Sequence, residues 1–182
     1  MIPENAKLVY DGQIFKVYEW EQKLFDGSSE TFEAVRRRGT VQLIVVNEGS
    51  IILLEEESPM GEKFISMPGG MIDWGENTKE SAEREMLEET GMKGNLEEYM
   101  ERVYEGKLHW DNHYFLCKDA EKVSEPEPDP GEKFYLIRLS FDDFIEKAMS
   151  EEFRNKDFQE HIRLLKAEGK LEDLKRRLGL DC

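Results

Sequence analysis

The sequence predicts an α/β fold, and three features of it do so. Strand-like runs fill most of the first 117 residues and return at 134–139. One helical stretch, Thr78 to Thr90, interrupts them. Amphipathic helices, Phe141 to Met149 and Asp157 to Leu178, close the chain. At 182 residues the chain is long enough for one domain with a sizeable core.

Leu8 to Glu33 reads as β structure, with Phe15 and Val17 on one strand face and Lys16 and Tyr18 on the other. Asp26 to Ser29 is a turn signal. A strand from Thr31 to Arg37 leads into Val41 to Val46, and Asn47 to Ser50 turns the chain back into Ile51 to Leu54, a core hairpin. Pro68, Gly69 and Gly70 break the pattern, and the two glycines permit a tight backbone path. Asn77 can cap the helix that follows, Glu80 completes a capping-box pair, and Gly91 can stop it in the left-handed conformation. Ala82 and Met86, four apart, are expected to face the core.

Tyr99 to Tyr104 and His113 to Cys117 read as strands. Ser124 to Gly131 holds three prolines, which a sheet interior cannot take, so it is a loop before the last strand, Phe134 to Leu139. Leu164, Leu165, Leu171, Leu174 and Leu178 are the expected core contacts of the final helix.

Lys and Arg number 25 against 41 Asp and Glu, a net charge of −16. That balance excludes general binding to a DNA or RNA backbone, which needs a basic face. It leaves room for a small phosphorylated ligand met through divalent cations. The two cysteines, Cys117 and Cys182, form neither a disulfide framework nor a metal pair. With no apolar leader and no run long enough to span a bilayer, the expected location is the cytoplasm and no membrane partner is expected.

The chemistry concentrates between Gly70 and Met92. On a helix, residues three and four apart share a face, so Glu85, Glu88 and Glu89 project together. Carboxylates that close repel, and a divalent cation removes the repulsion; Mg²⁺ prefers a few carboxylates plus water and phosphate oxygens. Arg84 cannot lose its proton and can orient a neighbouring carboxylate.

This stretch resembles the box of the Nudix hydrolases, G-x5-E-x7-R-E-U-x-E-E-x-G-U with U a bulky aliphatic residue. Gly70, Glu76, Arg84, Glu85, Met86, Glu88, Glu89, Gly91 and Met92 fill its nine defined positions. A chance match is on the order of one in 10⁵. The resemblance implies an α/β/α sandwich around a mixed sheet, here with an N-terminal β segment (1–38) ahead of the hydrolase domain (39–182). It implies attack by water on a phosphorus of a nucleoside diphosphate linked to a further group. It assigns Glu85, Glu88, Glu89 and the Gly69 carbonyl to Mg²⁺, with Mn²⁺ as the alternative ion. Arg84 would hold a glutamate and Glu76 would support the loop before the helix. Glu88, Glu89 and Arg84 thus carry catalysis. A general base would come from the loop after the box, with Glu132 first and Glu125, Glu127 and Asp129 as rivals.

The N-terminal segment and the run Glu33 to Arg38 further resemble the ADP-ribose pyrophosphatase branch. That implies a nucleotide substrate of the ADP-ribose or nucleotide-sugar type and a homodimer built with the N-terminal segment. Arg36 and Arg38 would meet the substrate, one or more of Arg36 to Arg38 facing the cleft. Trp110 and Tyr114, with Tyr104, are the aromatic residues for stacking on a base. The chain departs from the ADP-ribose branch twice: that branch usually has Pro-Ala-Gly where this chain has Pro68, Gly69 and Gly70, a pattern commoner in the alternative, nucleoside triphosphate pyrophosphohydrolases, and it usually has a proline after the box where none stands near Leu108. A non-catalytic binding module is the third reading, and the complete set of box acids opposes it.

Overall fold

The computed structural model describes residues 1–128 and 130–180. Nine of the described strands form one mixed sheet in the order β1-β2-β3-β9-β4-β5-β11, with β6 on β5 and β8 on β9. The N-terminal strands are β1 (Lys7–Asp11), β2 (Phe15–Lys23) and β3 (Ser29–Arg37). The core strands are β4 (Thr40–Asn47), β5 (Ser50–Glu57), β6 (Lys63–Ser66), β8 (Glu97–Tyr104), β9 (Leu108–Cys117) and β11 (Phe134–Leu139). Two-residue strands β7 (Met92–Lys93) and β10 (Glu121–Lys122) pair beside it.

The alternation of β4 builds both layers of the sandwich. Val41, Leu43 and Val45 face helix α1 (Thr78–Thr90) and pack with Ala82, Met86, Ile52 and Phe115. Ile44 and Val46 face the opposite way and pack with Ile51, Leu53, Phe144, Phe158 and Ile162. The last three come from α2 (Phe141–Ala148) and α3 (Lys156–Ala167). The continuous apolar runs of β4 and β5 are what a strand buried on both faces requires.

Helix α1 begins and ends where the sequence predicts. Asn77 accepts a hydrogen bond from the Lys79 N–H, and Gly91, at φ 68°, closes the last turn on the Leu87 carbonyl. Glu80 is exposed, and no hydrogen bond from the Asn77 N–H to its side chain occurs. The single helix expected over 157–178 is instead two, α3 and α4 (Leu171–Arg177). Gly169, at φ 68°, takes a left-handed turn that an α-helix cannot continue through. Leu164, in α3, is 46% exposed, whereas Leu174 and Leu178 are buried and Leu165 and Leu171 partly so.

The N-terminal strands continue the core sheet. β3 pairs parallel with β9 only at Val35–Leu108 and Arg36–His109. Among the described residues of β1 to β3, Ala34 alone is fully buried, and Leu8, Val9, Tyr10, Phe15 and Phe32 are exposed. No helix of the described residues is long and apolar enough to cross a membrane. Cys117 is a buried free thiol; Asp129 and Cys182 lie outside the described residues.

Candidate active site

A cleft of about 670 Å³ opens where α1, the loop before it, the rim of β9 and the start of α3 meet. Its volume lies in the usual range for a small-molecule site, roughly 300–1,000 Å³. One end is acidic, lined by Glu56, Glu85, Glu88, Glu89, Glu127 and Glu132. The lining also carries Arg37, Arg154, Lys156 and Trp110, with Arg154 3.7 Å from Glu56.

Arg84 organises the acidic end. Its Nε and Nη2 donate to the two oxygens of Glu76 at 3.1 Å each, a two-pronged pair, while Nη1 donates to Glu85 at 2.8 Å and Glu88 at 3.1 Å. The Arg84 guanidinium holds the Glu76 carboxyl down at about 2. Glu76 also accepts from the Asp73 N–H at 3.0 Å, which pins the loop to the helix. Because its pKa is depressed, the stability Glu76 contributes is present above the ordinary carboxylate value and is lost as pH falls toward about 2.

Glu89 is the outlier. It is 8% exposed, and its hydrogen bond comes from the Gly69 N–H at 2.6 Å. Burial pushes its carboxyl well above the usual range; the Gly69 N–H opposes this, and the charges of Glu85, Glu56 and Glu132 add to it. Burial likewise raises Glu85, partly offset by Arg84. A buried carboxylate crowded by others is a poor arrangement unless a cation joins it. The donors are all hard oxygens, so the residues fit a hard divalent cation such as Mg²⁺. Glu85 and Glu88 are both held by Arg84, and among the described residues no three such side chains are already gathered as a closed ligand set.

The glycines position these acids. Pro68 and Gly70 carbonyls accept from the Leu43 and Val41 N–H groups of β4, which leaves the intervening Gly69 carbonyl out of the strand pairing. A Cβ on Gly70 would lie 2.3 Å from a Glu85 oxygen, so only glycine lets that carboxylate rest on the backbone.

The loop from Ser124 docks on the end of α1, the Glu127 N–H donating to the Glu88 carbonyl at 2.7 Å. Glu127 and Glu132 therefore line the cleft, and Glu132 lies close enough to raise Glu56, Glu85 and Glu89. Glu125 instead pairs with Lys122 at 2.6 Å and stays outside.

The expected substrate contacts are redistributed. Arg36 is exposed and outside the cleft lining, while its neighbour Arg37 lines it, because strand side chains alternate. Arg38 lines the cleft, but its guanidinium is committed to the loop: it donates to the Ile72 carbonyl at 2.8 Å and the Met71 carbonyl at 3.3 Å and pairs with Asp73. Tyr114 is 1% exposed, packed on Phe158 with ring centres 5.8 Å apart, so it offers no free ring face to a base. Trp110 reaches the cleft, but Tyr104 stacks on it at 5.1 Å and the Arg37 guanidinium lies over it at 4.7 Å. Those partners come from the strands on either side of β9, so both ring faces are covered.

Several cleft residues escaped the sequence reading. Glu56 lies in a run of three glutamates and belongs to no motif. The alternation Ile52, Leu54, Glu56 was the signal that it continues the face covered by α1. Burial raises its carboxyl despite a hydrogen bond from Ser66 and Arg154 at 3.7 Å. The polar floor was invisible to a linear reading. Asn112 accepts from Thr40 and donates to Tyr114, each at 2.8 Å, and Asn155 bridges Gln42 and the Met67 N–H at 2.6 and 2.8 Å. Asp157 at the start of α3 accepts from the Tyr104 hydroxyl.

Comparison with known proteins agrees with this geometry. The NUDIX domain family matches residues 35–161. The chain is 26% identical over 147 residues to a methanol dehydrogenase activator of Bacillus methanolicus, covering 78% of this chain and 80% of that one. It is 25% identical over 149 residues to an ADP-ribose pyrophosphatase of Bacillus subtilis (strain 168), covering 79% and 80%. A crystal structure of an ADP compounds hydrolase superposes with a TM-score of 0.64 at 20% identity, over 92% of this chain and 95% of that one. With the box acids converging on one cleft and a family match over more than half its length, the chain belongs to the NUDIX family and is a Nudix pyrophosphohydrolase.

Proposed function

We propose that the enzyme hydrolyses the diphosphate bond of a nucleoside diphosphate linked to a sugar, ADP-ribose or a related nucleotide sugar, to two monophosphates. The observation that carries this is one cleft lined both by the box acids and by Arg37, held over the Trp110 ring, with the polar side chains of Asn112 and Asn155. Such a cleft suits a diphosphate flanked by two groups. The ADP-ribose pyrophosphatase among the relatives supports the same class.

Glu85, Glu88, Glu89 and the Gly69 carbonyl would hold Mg²⁺, or Mn²⁺ in its place. When bound, the ion supplies neutralisation of phosphate charge and acidifies water. Arg84 keeps Glu85 and Glu88 in place. Glu132, with Glu127 as its neighbour on the same loop, takes the proton of the attacking water. Arg37 makes no ion pair and no side-chain hydrogen bond among the described residues, so its donors are available to a phosphate or ribose oxygen.

The test compares kcat/KM for ADP-ribose, several nucleotide sugars and the common nucleoside triphosphates at equal Mg²⁺. ADP-ribose or a nucleotide sugar is expected to lead. A triphosphate ahead by tenfold, about 1.4 kcal/mol of transition-state preference, overturns the reading.

Residues 1–38 serve this Nudix domain (39–182) as an N-terminal β extension, and a second copy of the chain is the partner that covers it. Leu8, Val9, Tyr10 and Phe15 are exposed on strands whose outer edge, β1, is unpaired. Light scattering at micromolar concentration should give twice 21.4 kDa; a mass of 21.4 kDa refutes the dimer. The buried free thiol of Cys117 accords with a cytoplasmic enzyme.

A further inference from the structure

The glutamates of the box are tied to the N-terminal strands by a line of contacts that the box pattern does not contain. It starts at the β1–β2 turn, closed by the Gly12 N–H on the Phe15 carbonyl at 2.9 Å. Trp74 Nε1 donates to the Gln13 carbonyl at 3.2 Å, and Lys16 Nζ lies 4.5 Å from the Trp74 ring centre. The Arg38 N–H donates to the Ile14 carbonyl at 2.9 Å.

From there the Arg38 side chain, 15% exposed, crosses to the loop before α1 and meets the Ile72 carbonyl, the Met71 carbonyl and Asp73. The Met71 carbonyl also accepts from Arg84 Nη2 at 3.3 Å, so one loop carbonyl is held by both arginines. Asp73 leads through its N–H to Glu76, Glu76 to Arg84, and Arg84 to Glu85 and Glu88. The segment between Met71 and Asn77 has no regular structure of its own. Ordering it before a cation arrives removes an entropic cost from binding. Charged donors, fixed at several acceptors, do this more firmly than neutral ones.

We propose that Arg38 and Trp74 are positioning residues through which the N-terminal β segment sets the affinity of the box acids for their divalent cation. This rests on the assignment of Glu85, Glu88 and Glu89 as metal ligands. Arg38 thereby acts on the metal face through the loop, not as a substrate contact.

The experiment measures Mn²⁺ binding to the full chain by electron paramagnetic resonance of the free ion. It adds thermal melting in chelator and the Mg²⁺ dependence of turnover. The variants are Arg38→Met, Arg38→Lys, Trp74→Phe and, as a control at the far end of β2, Trp20→Ala. Arg38→Met should weaken Mn²⁺ binding by about tenfold or more, the usual effect of losing a residue that orients a ligand. Its half-maximal Mg²⁺ concentration should rise by the same factor, with turnover nearly restored at saturating Mg²⁺. Arg38→Lys should recover part of the affinity. Trp74→Phe keeps an aromatic ring at a 40% exposed position and loses the N–H and the second ring, so it should fold and shift affinity less, in the same direction.

If wild type binds Mn²⁺ and both Arg38→Met and Trp74→Phe match it within twofold, the positioning role is overturned and the metal assignment stands. If Arg38→Met does not fold, Trp74→Phe decides alone. An equal loss in Trp20→Ala makes the effect general loosening and overturns the proposal. A wild type that binds no Mn²⁺ overturns the metal assignment itself.

Discussion

Glu89→Gln and Glu85→Gln should each lower kcat by roughly a hundredfold or more while leaving a folded protein. Gln keeps the shape of the side chain, and its carbonyl can still accept the Gly69 N–H that Glu89 accepts now. Only the negative charge goes. Near wild-type kcat for both variants at saturating Mg²⁺ would remove these residues from the metal face. A second readout separates charge from shape. Glu89 has a carboxyl raised well above its ordinary 4.5, so the folded chain holds that proton where the unfolded chain has released it. Stability therefore falls as pH rises from about 4.5 toward the folded value. In chelator, Glu89→Gln should melt near wild type at acid pH and increasingly above it as pH rises. Added Mg²⁺ should reverse the order, because only wild type gains from the ion. A melting difference that stays flat with pH would mean that Glu89 is not held against ionisation.

What the sequence made legible follows from how local each cause is. Helix α1 was readable to the residue, because Asn77 and Gly91 cap it through contacts within its own first and last turns. The core face of β4 and β5 was readable because burial on both sides leaves no polar alternative. The break at Gly169 was not. A single glycine inside a helical pattern is tolerated as often as it terminates, and only the packing of Leu174 and Leu178 on the core decides it. The short strands β6, β7 and β10 are paired by their neighbours and carry no pattern of their own.

Within the site, the box acids were legible because one helix presents them. Arg154, Asn155 and Asp157 were not, since they reach the cleft from the start of α3, far from the box in the chain. Of the three arginines expected near the cleft, Arg37 and Arg38 line it and Arg36 does not. The run of three arginines does not itself say which side chain faces the cleft, because that depends on how β3 joins the sheet. Tyr114 was an aromatic residue on the right strand with its ring already taken up by Phe158.

Substituting alanine at the two glycines ahead of the box should split activity from stability. At Gly70 the three atoms nearest the new Cβ all belong to Glu85, at 2.3 Å for one oxygen, 2.5 Å for the carboxyl carbon and 2.6 Å for the other oxygen. That obstacle is the end of a flexible side chain, so the backbone need not move and Glu85 swings away. Gly70→Ala should thus melt close to wild type in chelator yet lose Mn²⁺ affinity and kcat by roughly a hundredfold. At Gly69 the obstacle is backbone: the Cβ would lie 2.1 Å from the Val41 carbonyl oxygen of β4, and φ is 145°, where an L-residue is strained. Gly69→Ala should therefore cost about 2–4 kcal/mol of stability as well as activity, since it also shifts the N–H that holds Glu89. The resemblance to the ADP-ribose pyrophosphatase branch would instead make alanine acceptable here, because that branch usually carries it. In this chain the backbone path, pressed against Val41, leaves no room for that alanine Cβ. Denaturant melts and Mn²⁺ titrations of the two variants decide the matter. A Gly69→Ala protein as stable as wild type would show that the strand can yield, and an active Gly70→Ala would show that Glu85 does not need its place against the glycine.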